Sequence, residues 1–257
     1  MNMTSLSIIT TVLNDKENIE NCIHAVQSQN INNIEHIIVD GGSNDGTIKI
    51  LKHLKKKNKN LKIILRNKIN IYEGINIGIK NSKHKYIGLL HSDDFYKKKN
   101  SLKLVLNEFK RNPKLQALYS NVSIVKRNNI KKELRYFKTK QLRSFDFING
   151  LHPPHTSLFV KKEIFKKFGY YNEKFKIAAD YEFMLRVFGV YKVKIKFLNK
   201  TLVTMRSGGT STKNMINIAF SNYEVYKAFK INEQKINLKV LYNKIIKKIF
   251  QFRLNIT

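Results

Sequence analysis

Apolar and polar positions along the first third of the chain switch between two periods. Leu6 to Val12 is a short β-rich run, Lys16 to Gln29 carries apolar residues at helical spacing, and Ile34 to Val39 is a second β-rich run ending at Asp40. The turn-forming stretch GGSNDG follows. Thr47 to Lys57 then predicts a helix, Leu61 to Leu65 a strand, Ile71 to Asn81 a helix and Tyr86 to Leu90 a strand. The order βαβαβαβ implies a parallel sheet with helices on both faces, because parallel neighbours need crossover connections. Ligands of such sheets bind beyond the carboxyl ends of the strands. Asn14 with Asp15, Asp40 to Asp45, and Asp93 with Asp94 each follow a predicted strand, so they should share one rim.

The second half is less regular. Leu115 to Val125 reads as one or two strands, Glu133 to Lys140 as a strand leading into a basic loop, and LHPPHTSLFV as a rigid turn entering a strand. Helices are expected near Lys162 to Phe168 and Asp180 to Phe188, a strand pair at Val193 to Leu198 and Thr201 to Arg206, and helix from Asn214 onward. Neither a repeat nor a Gly/Ser/Pro-rich linker divides the chain. The simplest organisation is a main domain over 1–212 with a helical extension over 213–257.

Composition adds a constraint on partners. The 257 residues are 42% hydrophobic with three prolines, which excludes wholesale disorder, but 49 Lys plus Arg against 18 Asp plus Glu give a net charge of +31. Three readings fit: a nucleic-acid binder, a protein resting on an anionic membrane, or a surface rich in Lys, Asn and Ile for compositional reasons. The N-terminal apolar run lacks a preceding Lys or Arg and reads as a buried strand, not a signal peptide. No stretch reaches the roughly 20 apolar residues of a spanning helix, so a soluble or peripheral protein is expected. Cys22, the single cysteine, lies on a helical face with Ile19, Ile23 and Val26 and reads as a small buried apolar residue in a reducing compartment.

The carboxylates carry the chemistry. Clustered carboxylates repel one another and pay desolvation, so they persist most easily where a cation compensates them. Hard oxygen ligands suit Mg²⁺ or Mn²⁺, and a site with one or two carboxylates leaves positions for substrate phosphates. A metal-bound nucleoside diphosphate fits that description.

The segments SIITTVLNDKENIENCI, EHIIVDGGSNDGT, IGLLHSDDFY, PPHTSLFV, AADYEFMLR and MRSGGTS occur in the order and spacing of glycosyltransferase family 2, and the chain resembles its bacterial surface-polysaccharide members from about residue 5 to 212. The resemblance implies an α/β chain of GT-A fold, with a Rossmann-like, mostly parallel sheet, flanking helices and a C-terminal helical tail. It further implies a nucleotide-sugar donor, UDP-sugar by default, inversion at the sugar carbon, a saccharide or lipid-linked acceptor, and a divalent metal, Mn²⁺ or Mg²⁺. The expected location is cytoplasmic, with the inner membrane face as a further partner and no specific nucleic acid.

Carried over by position, Asp40 resembles the carboxylate that contacts the donor base, and Thr11 lies in the nucleotide-contacting segment. Asp45 reads more as a cap for the helix beginning at Thr47 than as a ligand contact, with Gly41, Gly42 and Gly46 serving the turn. HSDD resembles the family's DxD element: Asp93 takes its final, metal-relevant position and His91 replaces the first Asp, as a second metal ligand. Asp180 aligns with the catalytic base, a role compatible with a helix N-terminal position. Arg206 reads as a diphosphate clamp or a surface arginine, with the Gly208-Gly209 turn beside it. His155 reads as an acceptor contact or a structural hydrogen bond. Lys68 and Asn70 depart from the acidic and glycine positions of close relatives, which bears on donor recognition, while Glu73 preserves a carboxylate.

Two other functions remain in view. A nucleotidyltransferase would need a Gly/Arg/Lys-rich loop after the first strand, which TTVLND does not supply, and a basic binding module would show a recognised nucleic-acid motif. In the tail, Leu238, Leu241, Ile245, Ile249 and Phe252 form one helical stripe, with Lys239, Lys244 and Lys247 opposite. The stripe suits either an anionic inner leaflet or packing on the main domain.

Overall fold

The two periods of the first third become strands and helices in the computed structural model, which describes residues 5–208, 215–236 and 240. Strands β1 (Leu6–Val12), β2 (Ile34–Asp40), β3 (Leu61–Leu65) and β4 (Tyr86–Leu89) alternate with helices α1 (Ile19–Gln27), α2 (Thr47–Lys57) and α3 (Ile71–Asn81). They pair in parallel in the order β3-β2-β1-β4. Successive strand residues face opposite sides. Ile9, Ile37, Val39, Ile87 and Leu89 therefore join one core with α3, while Leu6, Ile8, Ile34 and Tyr86 join another with Cys22 and Val26 of α1.

Beyond β4 come β5 (Phe95–Tyr96), α4 (Ser101–Arg111), β6 (Ala117–Lys126), β7 (Asn129–Phe137), α5 (Ser144–Ile148), β8 (Phe159–Lys161), α6 (Lys162–Phe168), α7 (Ala179–Met184), β9 (Ile195–Arg206) and α8 (Met215–Ile231). The sheet continues β4-β8-β6-β9-β5, with β7 pairing β6 at the side. Here β8 runs antiparallel to both β4 and β6, β5 antiparallel to β9, and β6 parallel to β9. The sheet is thus parallel in its first half and mixed in its second.

Three expectations change. Val193 to Leu198 and Thr201 to Arg206 are not a pair but the single strand β9, whose register against β6 shifts at Ser120 and Asn121. Helix α4 was not expected, although Leu102, Val105, Leu106 and Phe109 bury one face. The helix holding Asp180 loosens after Met184 into a π-helical stretch, Leu185–Val190.

The close fit of α3 on β1 positions the rim. A Cβ at Gly78 would run into Ile9 Cγ2, and one at Gly74 would sit 2.7 Å from Thr11 Cγ2. Helix α8 packs through Val225, Ala228 and Phe229, all buried, onto the core containing α7. Of the tail stripe, Leu238, Leu241, Ile245, Ile249 and Phe252 lie outside the described residues, as does Gly209.

Candidate active site

The carboxyl ends of β1, β2 and β4 do form one rim. Asp15 accepts the Ser92 hydroxyl at 2.6 Å, Asn14 N–H donates to Ser43 Oγ at 2.8 Å, and Asp15 N–H donates to Thr47 Oγ1 at 3.0 Å. Asp45 spends its carboxylate on Thr47 N–H, Thr47 Oγ1 and Lys16 N–H, so it ties the start of α2 to the loop after β1. Those bonds, led by the Thr47 hydroxyl, hold its carboxyl down at about 2. Gly42 and Gly46, with φ of 105° and 106°, make the turn between them, a backbone region glycine enters without steric cost.

Asp40 ends β2 fully buried. Its Oδ1 accepts the N–H groups of Gly42 and Ser43, both at 2.9 Å, while Oδ2 is buried with no partner among the described residues. An orphaned buried carboxylate oxygen is costly, so it marks a place where a donor is wanted. Thr11, opposite Val39 on the neighbouring strand, lines a small recess together with Ile9, Ile75, Leu89, Leu90, His91 and His155.

Sheet order assembles the next group. Because β8 lies antiparallel against β4 with Gly88 opposite Phe159, the turn before β8 meets the loop after β4. His155 Nε2 stands 2.6 Å from His91 Nε2, and His155 Nδ1 stands 3.0 Å from Asp180 Oδ2. Burial works to raise the Asp180 carboxyl, but His155, by charge and hydrogen bond, together with His152 and the Tyr181 N–H, brings it down to about 2. Asp180 is therefore an anion that only accepts, and His155 Nδ1 carries the proton between them. Burial and then the neighbouring His155 hold His91 down at about 4, so its ring is neutral.

The loop before Asp180 is clamped from two sides. Tyr72 Oη donates to Ile177 O at 2.6 Å and lies 3.4 Å from Asp180 Oδ1. From α8, buried Glu224 accepts the N–H groups of Lys176, Ile177 and Ala178 at 2.6, 2.8 and 2.8 Å. Neither Tyr72 nor Glu224 was visible as a site residue in the sequence. The departures at Lys68 and Asn70 have a local explanation in part: Asn70 and Glu73 form a reciprocal capping box at the start of α3.

Asp93, Arg206 and Arg127 form the third group. Pairing of Phe95 with Thr204 brings the β4–β5 loop to the end of β9, and pairing of Val125 with Arg206 brings the β6–β7 turn there too. Arg127 Nη2 donates to Asp93 Oδ2 at 2.6 Å, and Arg206 Nε donates to Asp93 O at 2.9 Å. Asp94 is buried, its Oδ1 accepting Arg206 N–H at 3.1 Å. Burial first, then Asp93, push its carboxyl well above the usual range, towards the protonated form.

These residues do not fit the divalent-metal site expected at His91 and Asp93. His91 Nε2 is spent on His155, and Asp93 is paired with Arg127, so neither expected ligand is free as the side chains stand. Cys22 is buried beneath, its thiol donating to His91 O at 3.3 Å and kept protonated by burial.

Residues 7–169 match the profile of glycosyl transferase family 2. The chain is 25% identical over 238 residues to chondroitin synthase of Pasteurella multocida, a match covering 90% of this chain and 24% of that enzyme. It is 27% identical over 226 residues to an uncharacterized glycosyltransferase of Rickettsia prowazekii, covering 85% and 69%. The structure of S. aureus TarS 1–349 in complex with UDP-GlcNAc superposes with a TM-score of 0.71 at 18% identity, covering 98% of this chain and 74% of that one. The mannosyltransferase PcManGT of Pyrobaculum calidifontis, in complex with GDP-Man and Mn²⁺, gives 0.65 at 14% identity, covering 94% and 69%.

Proposed function

Because the chain belongs to glycosyl transferase family 2 and has a GT-A fold, we propose that it moves a sugar from a UDP-sugar to a hydroxyl of a saccharide or lipid-linked acceptor in surface-polysaccharide synthesis, with inversion at the sugar carbon. The observation that carries this reading is Asp180, an ionised carboxylate held on the rim by His155 at 3.0 Å. As the acceptor oxygen bonds to the sugar carbon, the bond from that carbon to the diphosphate breaks, its electron pair leaves with the diphosphate, and the hydroxyl proton passes to Asp180.

Asp40 Oδ2 supports the choice of base. A buried acceptor without a donor suits the imide N–H of uracil, and Thr11 borders the same end of the sheet. Arg206, fixed through Nε on Asp93 O, carries a planar guanidinium that suits phosphate oxygens, which supports a clamp role. A Mn²⁺ or Mg²⁺ ion would reach Asp93 only by displacing Arg127.

Thermal stabilisation by UDP, GDP and ADP tests the donor half through ligand linkage. UDP is expected to stabilise most, with the preference lost in Asp40→Ala. Equal response to all three bases would refute the role of Asp40, and no response to any nucleotide would refute the donor class.

A membrane-facing orientation is supported by α8. Met215, Ile216, Tyr223 and Tyr226 are 80%, 77%, 60% and 50% exposed and fall, with Lys230, on the face opposite buried Glu224, Val225 and Phe229. From Val190 onward 14 Lys plus Arg stand against Glu224 and Glu233, a balance suited to anionic lipid. No described helix is long and apolar enough to cross a membrane. Co-sedimentation with anionic vesicles should fall in the double variant Ile216→Ser and Tyr223→Ser, and undiminished binding would dismiss this face.

A further inference from the structure

At the end of β9, Arg127 and Arg206 gather around Asp93, with Asp94 buried beneath. Arg127 projects from the β6–β7 turn, anchored by its own N–H to Ser207 Oγ at 3.2 Å and by Nε to Ser207 O at 3.1 Å. Its Nη2 closes on Asp93 Oδ2 at 2.6 Å, and its carbonyl accepts Arg206 Nη1 at 3.0 Å. Arg206 is fixed in turn through Nε on Asp93 O. The side chains of Arg127 and Asp93 are 44% and 21% exposed, so this pair faces solvent at the rim.

Each guanidinium keeps donors in reserve. A guanidinium has five N–H donors in a fixed plane, and the bonds above use only Nε and Nη2 of Arg127 and Nε and Nη1 of Arg206. On the solvent side the two guanidinium groups stand against the accessible carboxylate of Asp93, while Asp94 is buried beneath them on the Arg206 N–H, so the face that a ligand meets is cationic. A dication arriving at Asp93 would have to break a charge-assisted bond of 2.6 Å and then sit beside the two guanidinium groups. An incoming diphosphate meets the opposite situation, since it supplies the anion that this cluster lacks.

We propose that Arg127 is a donor-diphosphate-binding residue, which leaves Asp93 for the phosphates and, with Arg206, supplies the counter-charge that lets the nucleotide bind without a divalent cation. This rests on the nucleotide-sugar reading of the same site. Arg127 occupies Asp93 in the free protein and turns its donors to the phosphate oxygens when they arrive. Asp93 then acts as a competitor for Arg127, the reverse of what a metal-holding carboxylate does.

Direct binding of UDP to the full chain separates the possibilities, measured calorimetrically in EDTA and in Mn²⁺. The unmodified protein should bind UDP about equally in both. Arg127→Gln should weaken binding in EDTA on the order of 10- to 100-fold, the loss expected for hydrogen bonds to a charged group, and Arg127→Lys should restore part of it. Asp93→Asn should hold or tighten binding in EDTA, because it releases Arg127. Binding that needs Mn²⁺, is unaffected by Arg127→Gln and is abolished by Asp93→Asn would overturn the proposal in favour of a metal-holding Asp93. Failure of UDP, GDP and ADP to bind in either buffer would overturn the nucleotide-sugar reading itself, and this assignment with it. Arg127 is exposed and outside the core, so its variants should keep the melting temperature of the unmodified chain.

Discussion

Glu224→Gln asks how firmly the C-terminal helix holds the catalytic loop. Glu224 is 2% exposed, and its two oxygens take three consecutive backbone N–H groups, one on Oε1 and two on Oε2. Glutamine keeps the shape but offers one acceptor oxygen. If that oxygen serves Ile177 and Ala178, those two bonds weaken from charged to neutral, and Lys176 N–H faces an amide that cannot accept. Losing one charge-assisted bond costs about 1.5–3 kcal/mol and weakening two costs about 1 kcal/mol each, so the total is about 4 kcal/mol. For a chain of this size, about 2–4 °C of melting temperature accompanies each kcal/mol. A fall of about 10 °C is expected by thermal scan, together with earlier proteolytic cleavage near Lys176. The transfer rate should fall as well, because Ala178 immediately precedes the helix that begins α7 and carries Asp180. A melting temperature within about 1 °C of the unmodified chain would refute the clamp. A large fall in stability with transfer unchanged at low temperature would refute its link to Asp180.

Asp180→Asn should lower transfer on the order of 10²- to 10⁴-fold while UDP affinity is kept, as removal of a general base predicts; an active variant would take Asp180 out of the chemistry. Its folded pKa of about 2 lies below the reference 3.8, so its contribution to stability is present above about pH 4 and is lost as pH falls towards 2. Urea titrations between pH 5 and 2 should therefore be flatter for Asp180→Asn than for the unmodified chain. Asp94 has the opposite sign: its folded pKa is raised, mainly by burial, so it subtracts stability as pH rises through the unfolded value. Asp94→Asn should then match or exceed the unmodified melting temperature at pH 8, and a marked loss there would mean that Asp94 is ionised in the fold. Gly78→Ala gains helix propensity of about 1 kcal/mol, yet its methyl meets Ile9 of β1; overpacking of about 1–3 kcal/mol should win and lower the melting temperature.

Much of the first half was legible because its rules are local. Thr47–Lys57, Leu61–Leu65 and Ile71–Asn81 begin and end where the pattern places them. The start of α3 is written in Asn70 and Glu73, three residues apart, whose capping bonds need no distant partner. The rim of carboxylates followed from strand ends in the same way. Helix α4 also carried a readable signal, Leu102, Val105, Leu106 and Phe109 at helical spacing, obscured by the lysines and asparagine around its start. What neither periodicity nor motif order could state is which rim residues touch. His91 meets His155, 64 residues on, because β8 inserts antiparallel beside β4; Arg127 meets Asp93 because β5 and β6 both pair with β9; and Glu224 reaches Ala178 from a helix 46 residues further along. Those contacts depend on the order of strands across the sheet, which is decided by burying both faces at once. A position in sequence therefore identified Asp40, Asp93 and Asp180 as candidates, while the tertiary structure alone decided that Asp93 faces an arginine and Asp180 a histidine.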